Sequence, residues 1–114
     1  MRRNESSKME RRRFKRLPVS LPVTLRYRGR LIPATALNIS CGGMCLSTES
    51  SEIVGDDAIE VILDLSLAEL DVSVRGKIIR IDAGINKKVG VQFTSLYSIG
   101  HQAIEKYIQR KDKN

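Results

Sequence analysis

Five cations fall in the seven residues Glu10-Arg11-Arg12-Arg13-Phe14-Lys15-Arg16, directly before the first run of alternating apolar residues. A guanidinium is a planar fork of donors that grips phosphate oxygens in pairs and also matches the O6 and N7 acceptors of guanine. The segment therefore suits an anionic partner, and the plainer alternative is a nonspecific basic arm for nucleic acid or another anionic surface. A second stretch, Asn38-Ile39-Ser40-Cys41-Gly42-Gly43, combines small polar side chains with two adjacent glycines. Such glycines permit positive φ and the close approach of another backbone.

Other chemistry is poorly supplied. Cys41 beside Gly42-Gly43 could be imagined as a nucleophile, but the one histidine, His101, falls on a predicted C-terminal helix with no base placed near Cys41 in sequence. Cys41 and Cys45 read instead as small packing residues in or beside a strand, and His101 as a residue on the helix surface. Structural zinc wants four nitrogen or sulfur ligands, and two cysteines and one histidine fall short. Ser40 lacks the glycine two residues before it that a nucleophile elbow requires, and no Walker or dinucleotide glycine fingerprint occurs. The residues predict a protein that is not an enzyme and holds no metal or resident cofactor.

The elements that must position these groups follow from periodicity. Val19, Leu21, Val23, Leu25 and Tyr27 alternate with Ser20, Pro22, Thr24, Arg26 and Arg28, which predicts a half-buried strand. Pro22 cannot donate to a ladder and implies an edge or barrel-rim position. Arg28-Gly29-Arg30 predicts a tight turn into a strand over about 31–38, followed by the small-residue loop and a short strand at 44–48. Alternation resumes at Ile59–Leu65, at 72–82 and at Val89–Phe93. Between Ile78 and Ile79 the apolar phase slips from even to odd positions, which requires an inserted residue and predicts a bulge. Leu96, Ile99, Ala103, Tyr107 and Ile108 then recur at three- and four-residue steps, predicting an amphipathic helix capped by Thr94 or Ser95 that lids the sheet. With no helical pattern between strands to make crossovers, the expected fold is all-β, a six-stranded antiparallel barrel with a C-terminal α-helix.

Composition agrees with one small domain. The 114 residues carry 20 Lys+Arg against 13 Asp+Glu, a net charge of +7. Eight basic and two acidic residues lie in 1–16, giving +6, whereas 17–114 holds twelve and eleven, giving +1. The excess belongs to the N-terminal arm, and the body is nearly neutral. Residues 1–10 are expected to be a flexible basic arm, 11–110 the folded domain and 111–114 a polar tail. Short, charge-interrupted apolar runs predict no membrane insertion and no secretory signal, and the cysteine content suits a reducing, cytoplasmic setting.

Taken together, the two opening motifs resemble the PilZ domain family. Its signatures are Arg-Arg-x-x-x-Arg before the first strand and (Asp/Asn)-x-Ser-x-x-Gly between the second and third. Here they read Arg11-Arg12-Arg13-Phe14-Lys15-Arg16 and Asn38-Ile39-Ser40-Cys41-Gly42-Gly43, about twenty residues apart and bracketing two predicted strands. The family's closing Gly-Val-x-Phe strand is matched by Gly90-Val91-Gln92-Phe93, so the resemblance covers roughly residues 10–108. It implies a bacterial receptor for cyclic di-GMP. Arg12 and Arg16, helped by Arg11, would clamp phosphate and a guanine edge; Asn38 and Ser40 would approach the other guanine, and Gly43 would keep the barrel surface open. Asn38, in place of the commoner aspartate, accepts a hydrogen bond more weakly than a carboxylate.

Ordering of the arm over the ligand would signal to an effector protein, since the chain is too short to hold its own output domain. Two rivals remain: a PilZ-like protein-interaction domain that does not bind the nucleotide, and a nonspecific nucleic-acid binder using the arm. The few scattered aromatics, three tyrosines and two phenylalanines, disfavour nucleic acid because they make no stacking platform.

Overall fold

The computed structural model describes residues 16–55, 57–84 and 86–112. Arg11, Arg12 and the expected arm of residues 1–10 lie outside the described residues. Six strands precede one helix: β1 (Leu17–Tyr27), β2 (Arg30–Ile39), β3 (Gly43–Thr48), β4 (Ala58–Leu63), β5 (Val72–Asp82), β6 (Lys87–Phe93) and α1 (Ile99–Asp112). The strands close into an antiparallel barrel in the order β1-β2-β3-β6-β5-β4, with β4 returning to pair with β1. This is the fold class expected from the alternation. The helix runs to Asp112, two residues into the stretch expected to be a polar tail.

The barrel is filled by the inward half of each strand. Leu25, Tyr27, Ile39, Leu46, Val61, Val74, Ile78 and Val89 are almost completely buried. This interior is the main apolar driving force, since each such side chain removed from water contributes about 1.5–3 kcal/mol before entropy is counted. All three strand prolines stand where a neighbour has ended. β1 pairs with β4 over Val23–Arg26, so Pro18 and Pro22 both fall outside that ladder; β2 pairs with β3 from Thr35 onward, which leaves Pro33 outside as well. The missing N–H of each therefore breaks no ladder there. Arg28 (φ 51°) and Gly29 (φ 79°) form the two-residue loop between the paired Tyr27 and Arg30. Two successive positive φ values are what a type I′ hairpin needs to follow the strand twist.

The bulge expected at the phase slip is present. Ile78 pairs with Val91 and Arg80 with Gly90, so Ile79 is the extra residue. Without it, the inward series Val72, Val74, Gly76, Ile78 would carry Arg80 into the core.

The helix departs from the sequence expectation in two ways. Its cap is Ser98, whose Oγ accepts from the His101 amide at 3.1 Å and whose carbonyl accepts from the Gln102 amide at 2.9 Å. Ser95 instead accepts from the Arg75 amide at 2.9 Å and ties the preceding loop to β5. The buried stripe is His101, Ile104, Tyr107 and Ile108, whereas Leu96 and Ile99 point to solvent, Ile99 being 87% exposed. Scored as polar, His101 shifts the apparent stripe one turn too early. Among the described residues, no helix is long and apolar enough to cross a membrane.

Candidate functional site

One cavity of about 1070 Å³ lies on the outer face of the barrel, where the ends of β1, β2, β3, β5 and β6 meet. Its wall includes Arg16, Asn38, Ser40 and Gly43, four of the six residues singled out from the sequence. The other two, Arg11 and Arg12, lie outside the described residues. Arg16 is delivered by the start of β1, where Leu17 and Pro18 pair with Ile39 and Asn38. Two motifs twenty-two positions apart in the chain are thereby brought to one end of one hairpin.

The floor follows from register. Asn38 pairs with Cys45, Cys45 with Gly90, and Gly90 with Arg80, a continuous row across β2, β3, β6 and β5. All four face outward, since their adjacent neighbours Ile39, Met44, Val91 and Ile81 pack on the core. Three strand spacings of about 4.8 Å separate the ends of the row by roughly 14 Å. Between them stand only a thiol and a bare glycine, which leaves a shallow trough with polar groups at both ends. Gln92, which pairs with Gly43 and Lys77, adds an amide along one side.

The turn at residues 40–43 is held from within. Ser40 Oγ accepts from the amides of Gly42 (3.1 Å) and Gly43 (3.2 Å), and the Ser40 amide donates to the Gly43 carbonyl at 2.8 Å. At 7% exposed, the hydroxyl is committed to the loop. Its evident work is to shape the turn that presents Asn38, a narrower task than reaching a ligand itself. Gly43 is required for a steric reason: a Cβ there would stand 2.1 Å from the Val91 carbonyl oxygen. At Gly90 the situation is the reverse, because the nearest atoms to a Cβ are the Arg80 Cβ at 3.6 Å and Ile79 Cγ1 at 3.7 Å, ordinary contacts. Gly43 lets the strands close, and Gly90 leaves the floor bare.

The histidine is not on the helix surface, as expected from the sequence, but is 3% exposed. His101 Nε2–H donates to the Cys41 carbonyl at 2.7 Å, while Nδ1 accepts from the Tyr97 amide at 3.3 Å. Its ring meets Phe93 edge-on, with centroids 5.9 Å apart at 81°. One imidazole thus fastens the motif loop to the helix. Cys41 packs against the core, and burial, with the nearby Glu105 charge, pushes its thiol pKa up, away from a reactive thiolate. Cys45 is not core packing; it faces outward on the cavity floor. Among the described residues, no group of three or more His, Cys, Asp or Glu is placed to hold a metal ion.

The cations of the first hairpin are occupied elsewhere. Arg26 pairs with Glu60 at 3.0 Å and Arg30 with Glu52 at 3.5 Å, while Arg28 pairs with Asp57 and lowers its carboxyl pKa. They neutralise the barrel surface and take no part in the cavity. Sequence reasoning missed Ile79, Arg80, Gly90 and Gln92 as cavity residues. The phase slip at 78–79 was the available signal for the first two, because bulges re-aim side chains and recur beside binding sites.

Comparison with known proteins agrees with this architecture. A family profile described as the PilZ domain matches residues 10–110. Among solved structures, the inhibitor of motility from Bacillus subtilis (MotI/DgrA) superposes with a TM-score of 0.74 at 20% identity over 91% of this chain. The PilZ domain of YcgR from Escherichia coli, solved with c-di-GMP, gives 0.73 at 12% identity, covering 90% of this chain and 92% of that one. The PlzA protein of Borreliella burgdorferi, in complex with c-di-GMP, gives 0.58 at 12% identity over 97% of this chain. The chain spans 52% of the MotI/DgrA chain and 57% of the PlzA chain. No curated protein sequence matches it.

Proposed function

Because the chain belongs to the PilZ domain family, we propose that it is a receptor for cyclic di-GMP, acting in the bacterial cytoplasm and passing the signal to a protein partner. The observation that carries this reading is the convergence of Arg16 with the Asn38–Gly43 loop on a single cavity of about 1070 Å³. That space suits a ligand larger than a mononucleotide, with donors at the rim and a flat floor. Two solved structures of the same fold hold c-di-GMP. The assigned contacts are Arg16, with Arg11 and Arg12 from the same segment, and Asn38. Ser40 and Gly43 shape the loop between them. Cyclic di-GMP carries two phosphodiester charges and guanine edges rich in acceptors, and arginine offers only donors. Three charge-assisted contacts at about 1.5–3 kcal/mol each sum to about 4.5–9 kcal/mol, so a micromolar complex, about 8 kcal/mol, also draws on the polar and apolar surface of the trough to offset the cost of ordering.

In this reading, binding orders the arginine segment against the ligand on the outer face of the barrel, beginning from Arg16 at the cavity wall, which changes the surface offered to an effector protein. The chemistry is recognition, with no bond made or broken.

Calorimetric titration with cyclic di-GMP, using GTP and cyclic di-AMP as competitors, tests the assignment. Saturable micromolar binding, competed weakly by either, is the expected result. A nonspecific nucleic-acid binder would instead show no guanine preference and a steep loss of affinity with salt. The Gly90 floor offers a second check. Gly90→Leu should leave the melting temperature within about 4 °C, as an outward substitution with room for its Cβ, and lower affinity roughly tenfold or more by filling the trough. Wild-type affinity in Gly90→Leu would place the ligand somewhere other than this floor.

A further inference from the structure

The far end of the floor is formed by two residues that no motif accounts for. Ile79 is the bulged residue of β5, 57% exposed although it is a large hydrophobic, and Arg80 stands beside it on the same cavity wall. Ladder geometry would send one of two consecutive strand residues inward. The bulge sends both outward and places them together at the trough. Gly90 opposite Arg80 has no side chain to cover either of them. The guanidinium is held only loosely: its Nε lies 3.5 Å from Asp82 Oδ2, in a pair whose side chains are 65% and 59% exposed. A surface pair of this kind is worth little and can be exchanged for a better acceptor.

We propose that Ile79 and Arg80 form a purine subsite, in which the Ile79 side chain lies against the face of one guanine base and the Arg80 fork donates to its acceptor edge. This rests on the cyclic di-GMP reading above and assigns one base of the ligand to the β5 end of the trough, roughly 14 Å from Asn38. The pairing of an exposed aliphatic group with a guanidinium is what separates a base from a phosphate here. A phosphate would gain from Arg80 but not from Ile79, whereas a base has an apolar face for one and an edge rich in acceptors for the other.

The test is calorimetry with cyclic di-GMP on the full chain and on Arg80→Ala, Arg80→Lys, Ile79→Ala and Asp82→Ala, with thermal melts to verify folding. Arg80→Ala should weaken binding about tenfold, and Arg80→Lys nearly as much, since an ammonium keeps the charge but not the fork. Ile79→Ala should weaken binding about threefold, as a partial loss of apolar contact. Asp82→Ala should bind at least as tightly as the parent chain because it frees Arg80. Wild-type affinity in Arg80→Ala overturns the subsite, and so does full retention in Arg80→Lys or in Ile79→Ala. If the unsubstituted chain itself fails to bind cyclic di-GMP while remaining folded, the receptor reading falls instead.

Discussion

Gly43→Ala is expected to lower the melting temperature by roughly 10–20 °C and to abolish detectable binding of cyclic di-GMP near the melting range of the parent. A methyl group at this position would stand 2.1 Å from the Val91 carbonyl oxygen and 3.3 Å from the Gln92 Cα. The obstructing atoms are backbone on β6, so no rotamer change relieves the overlap and the β3–β6 ladder has to separate. That ladder runs from Gly43↔Gln92 to Thr48↔Lys87 and joins the two halves of the barrel. Overpacking of this kind costs about 3 kcal/mol or more, which outweighs the roughly 0.5–1 kcal/mol that alanine gains over glycine in a strand. For a domain whose total stability is about 5–15 kcal/mol this is a large fraction. The loop also loses its geometry, because Ser40 closes on the Gly43 amide and carbonyl and the Phe93 amide donates to the Gly42 carbonyl at 2.9 Å. Differential scanning calorimetry reads the result directly. A melting temperature within about 3 °C of the parent would mean that the two strands can part without penalty and that the steric account of Gly43 is mistaken.

Arg16→Ala is expected to weaken cyclic di-GMP binding by at least about tenfold while leaving the melting temperature unchanged. Arg16 is exposed and precedes β1, so its removal takes nothing from the core. A charge-assisted hydrogen bond contributes about 1.5–3 kcal/mol, which corresponds to a factor of ten or more in affinity. The matched control is Arg26→Ala. Arg26 is also an exposed cation on β1, but it pairs with Glu60 on β4 and does not line the cavity. The two variants change net charge equally, so a local contact predicts loss in Arg16→Ala alone. Equal loss in both, measured by calorimetry at fixed salt, would reduce the role of Arg16 to bulk electrostatics, and unchanged binding would remove it from the site.

Much of the barrel was legible in the sequence because a strand with one buried face writes its orientation into a period of two. The slip at Ile78–Ile79 was readable for the same reason, since that period cannot change phase without an inserted residue. The helix was less legible. Its buried stripe begins with His101, a residue that composition scores as polar but that is satisfied internally by the Cys41 carbonyl and the Tyr97 amide. A partner sixty residues away cannot be inferred from helical spacing, so the stripe was placed a turn early and its cap with it. Cys45 shows the same limit, because a small residue on an alternating strand reads as packing until its outward neighbours are known.

By itself the sequence determined the strand pattern, the position of the charge excess and the two motifs, since each is a property of residues a few places apart. The tertiary structure alone decided what meets whom. Pairing β3 with β6 sets Cys45 beside Gly90, and the bulge in β5 sets Arg80 beside them, so that Asn38 faces a second arginine forty-two residues further on. Ladder registers between strands distant in the chain are fixed by closure of the whole barrel, which no local period encodes.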